Sequence, residues 1–147
     1  MVIRDSFDVD APLETVWALL KDVPRVATCI PNARVTDVVD DRTYKAEVGV
    51  KVGPVAVSYK ATIVIDELDD AEHRATLSVK GAEAKGRGGV TARVTSQAVE
   101  RDGKTHVTLE TDAAITGVIA TVGGRLIEGV AKATTAKFAQ NLAAMTR

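Results

Sequence analysis

Apolar and polar residues alternate with a period of two along most of this chain, and in two places the period lengthens to three or four. From Val2 to Val9, Ile3, Phe7 and Val9 fall on one side and Arg4, Ser6 and Asp8 on the other, which predicts a first strand with Asp5 as an exception on the apolar side. Leu13, Val16, Trp17 and Leu20 then follow at i, i+3, i+4 and i+7, a short helix with one apolar face, expected to be capped by Asp10 with Pro12 in its first turn. Asp22-Val23-Pro24 interrupts that pattern, and Arg25 to Cys29 can add one more helical turn before Pro31 ends it. Val35, Thr36, Val38 and Val39 suggest a strand closed by an Asp40-Asp41 turn, and a strict two-residue period follows through Tyr44, Ala46, Val48, Val50 and Val52. It crosses a Gly53-Pro54 turn and resumes through Val55, Val57, Tyr59, Ala61, Ile63 and Ile65. Ala75, Leu77 and Val79 mark a further strand. Gly86-Arg87-Gly88-Gly89 opens the next, Val90 to Ala98, and Asp102-Gly103 is a hairpin turn into the last, Val107 to Ile115.

After Gly117 the period changes for good. Ile119, Val122, Leu126, Val130, Thr134, Phe138, Leu142 and Met145 recur at steps of three and four, while Arg125, Glu128, Lys132, Gln140 and Asn141 fall opposite. The pattern predicts one continuous helix from Val118 to Arg147, about 40 Å long, with Glu128 and Lys132 paired across one turn. Strand, two short helices, about six further strands and one long helix make an α+β layer arrangement. The strands form an antiparallel meander with one face wet, and the long helix covers the other face.

Composition narrows the classes. The 147 residues suit a single domain over 1–147, with 46% hydrophobic and 27% charged residues. A net charge of −1 gives no electrostatic reason for nucleic-acid binding. No run is apolar and long enough to span a bilayer, the N-terminus lacks the pattern of a secretory signal, and the single Cys29 has no disulfide partner. A cytoplasmic setting is the expectation.

Several stretches together resemble a known family. They are Cys29-Ile30-Pro31-Asn32-Ala33 (with Asn32 where the family usually has glycine), Val50 to Val55 followed by Tyr59, Gly86-Arg87-Gly88, Asp112 with Ile115 and Gly117, Gly123, and finally Phe138, Asn141 and Leu142. In order and spacing this is similar to the CoxG family of carbon monoxide dehydrogenase subunits, part of the START-like (SRPBCC) superfamily. The resemblance implies a helix-grip fold, in which a curved antiparallel sheet of about seven strands wraps a long C-terminal helix, with two short helices between strands 1 and 2. It also implies a non-catalytic accessory role. The protein would bind a quinone or lipid in a hydrophobic cavity, without a covalent cofactor, and assist an aerobic carbon monoxide dehydrogenase or related molybdenum hydroxylase. Peripheral contact with the inner face of the membrane belongs to the same expectation. Some members carry a C-terminal extension for membrane or partner contact. This chain ends at Arg147, directly after the helix, which favours a carrier or adaptor over an anchor.

The residues set against this picture offer little acid–base chemistry. His106 falls on the wet face by parity and His73 at a strand start beside Asp70 and Glu72, so no metal site is expected. Cys29 reads as a small buried hydrophobe or part of a cavity wall. The glycines at 86–89 precede a strand rather than a helix, so a turn or bulge is expected there instead of a phosphate loop. Gly123, Gly124 and Gly129 permit either close helix–sheet packing or a helix that bends. The inward apolar set suits a filled core and a cavity equally; the resemblance favours a cavity. Its expected lining is Trp17, Leu20, Cys29, Ile30, Pro31, Tyr59, Ile63, Leu77, Val79, Val94, Ile119, Val122, Leu126, Val130 and Phe138. Trp17 or Phe138 would stack on a flat ring, and Tyr59 would donate to a carbonyl. Two rival readings are a solid adaptor that works only through its surface and an enzyme of the polyketide cyclase type.

Overall fold

The computed structural model describes all 147 residues, and the alternating segments become seven antiparallel strands. These are β1 (Val2–Val9), β2 (Ala33–Val38), β3 (Thr43–Val52), β4 (Val55–Asp69), β5 (Arg74–Glu83), β6 (Gly89–Arg101) and β7 (Lys104–Ile115). The sheet order is β1-β7-β6-β5-β4-β3-β2, so β2 to β7 form a meander and β1 closes its far side against β7, Phe7 opposite Val107. Helix α1 (Leu13–Leu20) and helix α2 (Val23–Ala27) lie in the crossing from β1 to β2, and α3 (Gly124–Met145) crosses the concave face. This is the helix-grip architecture. Bulges at Val35/Asp37 and Ile65/Glu67 break the register, and the second carries Leu68 to the inner side, lengthening β4.

Three expectations about local structure need correction. Asp10 does not cap α1; Pro12 occupies that position without a side-chain bond. Asp22-Val23-Pro24 does not merely interrupt. Asp22 accepts from the Arg25 amide at 3.3 Å, and Pro24 sits in the first turn of α2, where a missing amide hydrogen is harmless. At the free edge of the sheet, Val38 and Val39 stand exposed (62% and 55%). The terminal helix is not continuous: Ile119–Val122 is a 3-10 turn, and Gly123 at φ +94° breaks the chain before α3 begins. At 22 residues α3 is about 33 Å long.

Within α3, each step of four residues overshoots a full turn by about 40°, so the apolar stripe drifts and Leu126 stands roughly 160° round the helix from Leu142. Leu126 is 45% exposed, while its neighbour Ile127 turns inward with Val130, Ala131 and Thr134. Lys132 donates to the Arg4 carbonyl at 3.3 Å instead of pairing with Glu128. Asn141 also turns inward, and its amide donates to the Cys29 carbonyl at 2.9 Å.

The core is densest at one end, where α1 and the last turns of α3 bury Val16, Trp17, Val107, Phe138 and Leu142 against the sheet. A smaller group, Val52, Val57, Tyr59 and Ile119, closes the other end. Of α3, only Phe138 and Leu142 are fully buried. Its first half therefore spans the sheet without filling the space below.

Candidate functional site

That space is an apolar cavity in two lobes. The larger, about 370 Å³, lies under the 3-10 turn and the first half of α3. Val48, Val50 and Val52 of β3, Tyr59 and Ala61 of β4, and Ile127, Val130 and Ala131 of α3 wall it. The smaller, about 270 Å³, lies under the middle of α3 against α1 and α2, walled by Leu20, Val23, Ile30, Ile63, Leu77 and Phe138. Val79 and Thr134 belong to both, so the lobes adjoin. A wider hollow of about 690 Å³ on the outer face of the sheet is mixed, with Thr62, Ser78, Lys80, Arg93 and Asp112 among Val64, Val79, Ala92 and Ala114. It is the open saddle of a twisted sheet.

The inner cavity carries no charged side chain. Its polar groups are the hydroxyls of Tyr59, Ser96, Thr134 and Thr135. Thr134 and Thr135 donate to the Val130 and Ala131 carbonyls, one turn back on α3, at 2.8 and 3.1 Å. Tyr59 and Ser96 differ: Tyr59 is 7% exposed in the larger lobe and Ser96 9% exposed in the smaller, and neither hydroxyl makes a hydrogen bond within the protein. No polar side-chain atom that is wholly sealed from solvent lacks a partner, so both oxygens keep a little accessible surface. Burial, with the charge of nearby Glu83, pushes the Tyr59 phenol above the usual range. Tyr59 is thus a neutral donor free to bond an occupant of the lobe.

A clasp of β5–β6 turn and β7 end flanks Tyr59. Glu83, opposite Tyr59 across the β4–β5 ladder and 5% exposed, accepts from Arg87 Nε at 2.8 Å and from the amides of Lys85 and Arg87 at 3.1 Å. The Arg87 guanidinium, aided by those amides against the cost of burial, holds its carboxyl down at about 2. The turn packs edge-on against 116–118, where Val118 donates to the Arg87 carbonyl at 2.9 Å. A Cβ on Gly88 would collide with the Thr116 carbonyl, and one on Gly117 with the Arg87 carbonyl. The glycine cluster is therefore a tight junction between two backbones, neither phosphate loop nor slack turn. Asn32, where glycine would be usual for the family resembled, has φ +61°, a conformation asparagine tolerates better than most residues.

Of the fifteen residues singled out as cavity lining, Leu20, Ile30, Tyr59, Ile63, Leu77, Val79, Val94, Ile119, Val130 and Phe138 come together around the two lobes. Five do not. Trp17 is buried on α1, donating from Nε1 to Asp70 Oδ1 at 2.8 Å and meeting the His73 ring edge-on at 5.7 Å, so it faces no ligand. Cys29 is 1% exposed, with its thiol 3.1 Å from Met145 Sδ. Burial pushes that thiol up, outweighing Thr28 and Arg25. Pro31 is half-buried in the α2–β2 loop outside both lobes, Val122 packs with the small core at the 3-10 turn, and Leu126 points out. The lining that sequence reading missed includes Ile127 and Ala131, each seven residues before an inward position of α3, and Val48, Val50 and Ile115, which strand parity already placed inward. His73 bonds Glu14 at 2.7 Å at the rim and His106 bonds Asp8 at 2.8 Å on the outer face, each holding a neighbouring element.

A family profile described as CoxG, a subunit of carbon monoxide dehydrogenase, matches residues 6–146. No curated protein sequence matches the chain. Among solved structures, a "conserved protein" of Geobacillus kaustophilus superposes with a TM-score of 0.87 at 24% identity, covering 99% of this chain and 95% of that one. An aromatase/cyclase of a Streptomyces species gives 0.67 at 15% identity over 99% and 93%. A START superfamily protein of Mycobacterium smegmatis gives 0.65 at 14% over 99% and 96%. At these identities the likenesses establish the fold and nothing finer.

Proposed function

This chain belongs to the CoxG family of carbon monoxide dehydrogenase subunits, and from that premise we propose that it is a non-catalytic carrier of a quinone or similar lipid. It would serve an aerobic carbon monoxide dehydrogenase or related molybdenum hydroxylase at the inner face of the membrane. The observation that carries this reading is the Tyr59 hydroxyl, unpartnered on a buried residue in a lobe of about 370 Å³ whose other hydroxyl, on Thr134, is already bonded to the Val130 carbonyl. A hydrocarbon chain would lie along the two lobes, and a carbonyl would accept from Tyr59. No cation in the lining would hold a phosphate or carboxylate inside, so a neutral lipid fits best. Burying roughly 500 Å² of ligand at about 25 cal/mol per Å² yields near 12 kcal/mol gross. Association losses of about 4 kcal/mol or more then leave affinity at micromolar or weaker.

Titration of the protein with a short-chain quinone, followed by native mass spectrometry, should show one bound molecule. Absence of binding to quinones and neutral lipids alike would overturn the carrier reading. The partnership is tested separately by co-purification with the hydroxylase. An adaptor with a solid interior does not account for the lobes. The cyclase reading draws support from the shared fold alone; turnover of a polyketide substrate that disappears in Tyr59→Phe would establish it.

A further inference from the structure

We propose that the end of the molecule bearing the larger lobe is a docking face for a bilayer with anionic headgroups. The proposal deepens the membrane contact in the reading above and rests on it. The net charge of −1 conceals an uneven layout. The strand registers gather the Gly53-Pro54 hairpin tip, the β5–β6 turn, the 3-10 turn and the start of α3 at one end. Lys51, Lys85 and Arg125 stand there exposed and in no ion pair. Arg87 is matched by buried Glu83, which leaves Glu128 as the acidic group facing them. The opposite end mixes signs: Asp40, Asp41, Asp69, Asp70, Glu72 and Asp102 stand at its turns beside Arg42, Arg74, Arg101 and Lys104, with Asp69 paired to Arg74 and Asp70 to Lys21.

The basic end is also where exposed apolar side chains gather. Leu126, next to Arg125, is 45% exposed and lies over Gly53, its δ-carbon 3.2 Å from where a Cβ there would stand. Met1 lies against Gly124, and it and Val2 are about half exposed. Apolar tips among unpaired cations match the two parts of an anionic interface: headgroups attract the cations, and Leu126 enters the acyl boundary. The lobe behind this face would then open toward the phase in which its ligand dissolves. Each lysine or arginine near such a surface strengthens binding about fivefold, less at high salt.

Flotation of the whole chain with vesicles of phosphatidylglycerol and phosphatidylcholine, against phosphatidylcholine alone, tests the proposal. Binding should require the anionic lipid and fall with salt. The combined variant Lys51→Gln, Lys85→Gln, Arg125→Gln should bind about a hundredfold more weakly, and Leu126→Ser should bind more weakly than wild type. Arg101→Gln with Lys104→Gln, at the other end, should change nothing. Equal binding to both vesicle types, binding to neither, or binding that survives the triple substitution overturns the proposal. Nile red fluorescence without vesicles reads the lobe separately and should be the same in the triple variant. Dye uptake without vesicle binding removes the docking face alone, and vesicle binding without dye uptake removes the carrier reading alone.

Discussion

Tyr59 supplies the larger lobe with its one unbonded hydroxyl. That hydroxyl makes no bond within the protein, so Tyr59→Phe should leave the empty protein as stable or slightly more so. The same change should weaken a short-chain quinone about three- to tenfold, the net worth of one hydrogen bond. A purely aliphatic probe should be unaffected, and titrating both ligands against both proteins checks this. Glu83 predicts an acid dependence. Its folded value of about 2 lies below the unfolded 4.5, so its contribution is whole above pH 4.5 and is lost as pH falls through about 2. Glu83→Gln should be less stable at neutral pH and flatter between those limits, read from denaturant midpoints across pH. Cys29, buried against Met145 and shifted upward, should resist alkylation in the folded state and react once the chain is unfolded.

Helix α3 behaves as two halves. Its C-terminal half is core: Leu142 is 0% exposed, so Leu142→Ala should cost about 2–5 kcal/mol. Leu126→Ala should cost almost nothing, although both leucines lie on one predicted stripe. The glycines divide in the same way. Gly123, at φ +94° and ψ 150°, holds a conformation nearly closed to other residues, and Gly123→Ala should lose about 1–3 kcal/mol. Gly129 is helical with open space where a Cβ would stand, so Gly129→Ala should gain up to about 1 kcal/mol. Chemical denaturation of the four variants distinguishes a helix clamped at one end from one packed along its length. Of the two roles open to these glycines, the break at Gly123 accounts for that residue. Gly124 does meet Met1, 3.3 Å from its Cβ position, but Gly129 touches nothing.

For the whole molecule, binding and stability become separable. A ligand in the cavity at about a hundred times its dissociation constant should add about 2.7 kcal/mol to the unfolding free energy. In a domain of this size that raises Tm by roughly 5–11 °C. Ala131→Phe, placed on α3 at the wall of the larger lobe, should abolish that rise while the empty protein melts at or above the wild-type temperature. Thermal scans with and without a short-chain quinone provide the check. A variant that still shows the ligand-induced rise would place the ligand outside the larger lobe.

Parity alone is enough to read the sheet from the residues. Side chains alternate strictly across a pleated strand, so Val48, Tyr59, Ile63 and Val79 belong to the inner face whatever the rest of the fold does. The family motifs are equally legible, because Gly88, Gly117 and Asn32 occupy backbone conformations or contacts that most residues cannot accept. The helical stripe misleads when its four-residue steps are read as one face: each step drifts by about 40°, which turns Leu126 out and leaves Ile127, seven before Thr134, inward. What the residues do not mark is the break at Gly123, where a 3-10 turn gives way to α3. Trp17 misleads for a related reason: an apolar side chain on a helix can face a cavity or a core, and only the Asp70 carboxylate beside it decides between them. Above all, alternation specifies which residues turn inward but not how far the helix stands from the sheet. Whether the interior is filled or hollow depends on that spacing between elements distant in sequence, and only the tertiary structure fixes it.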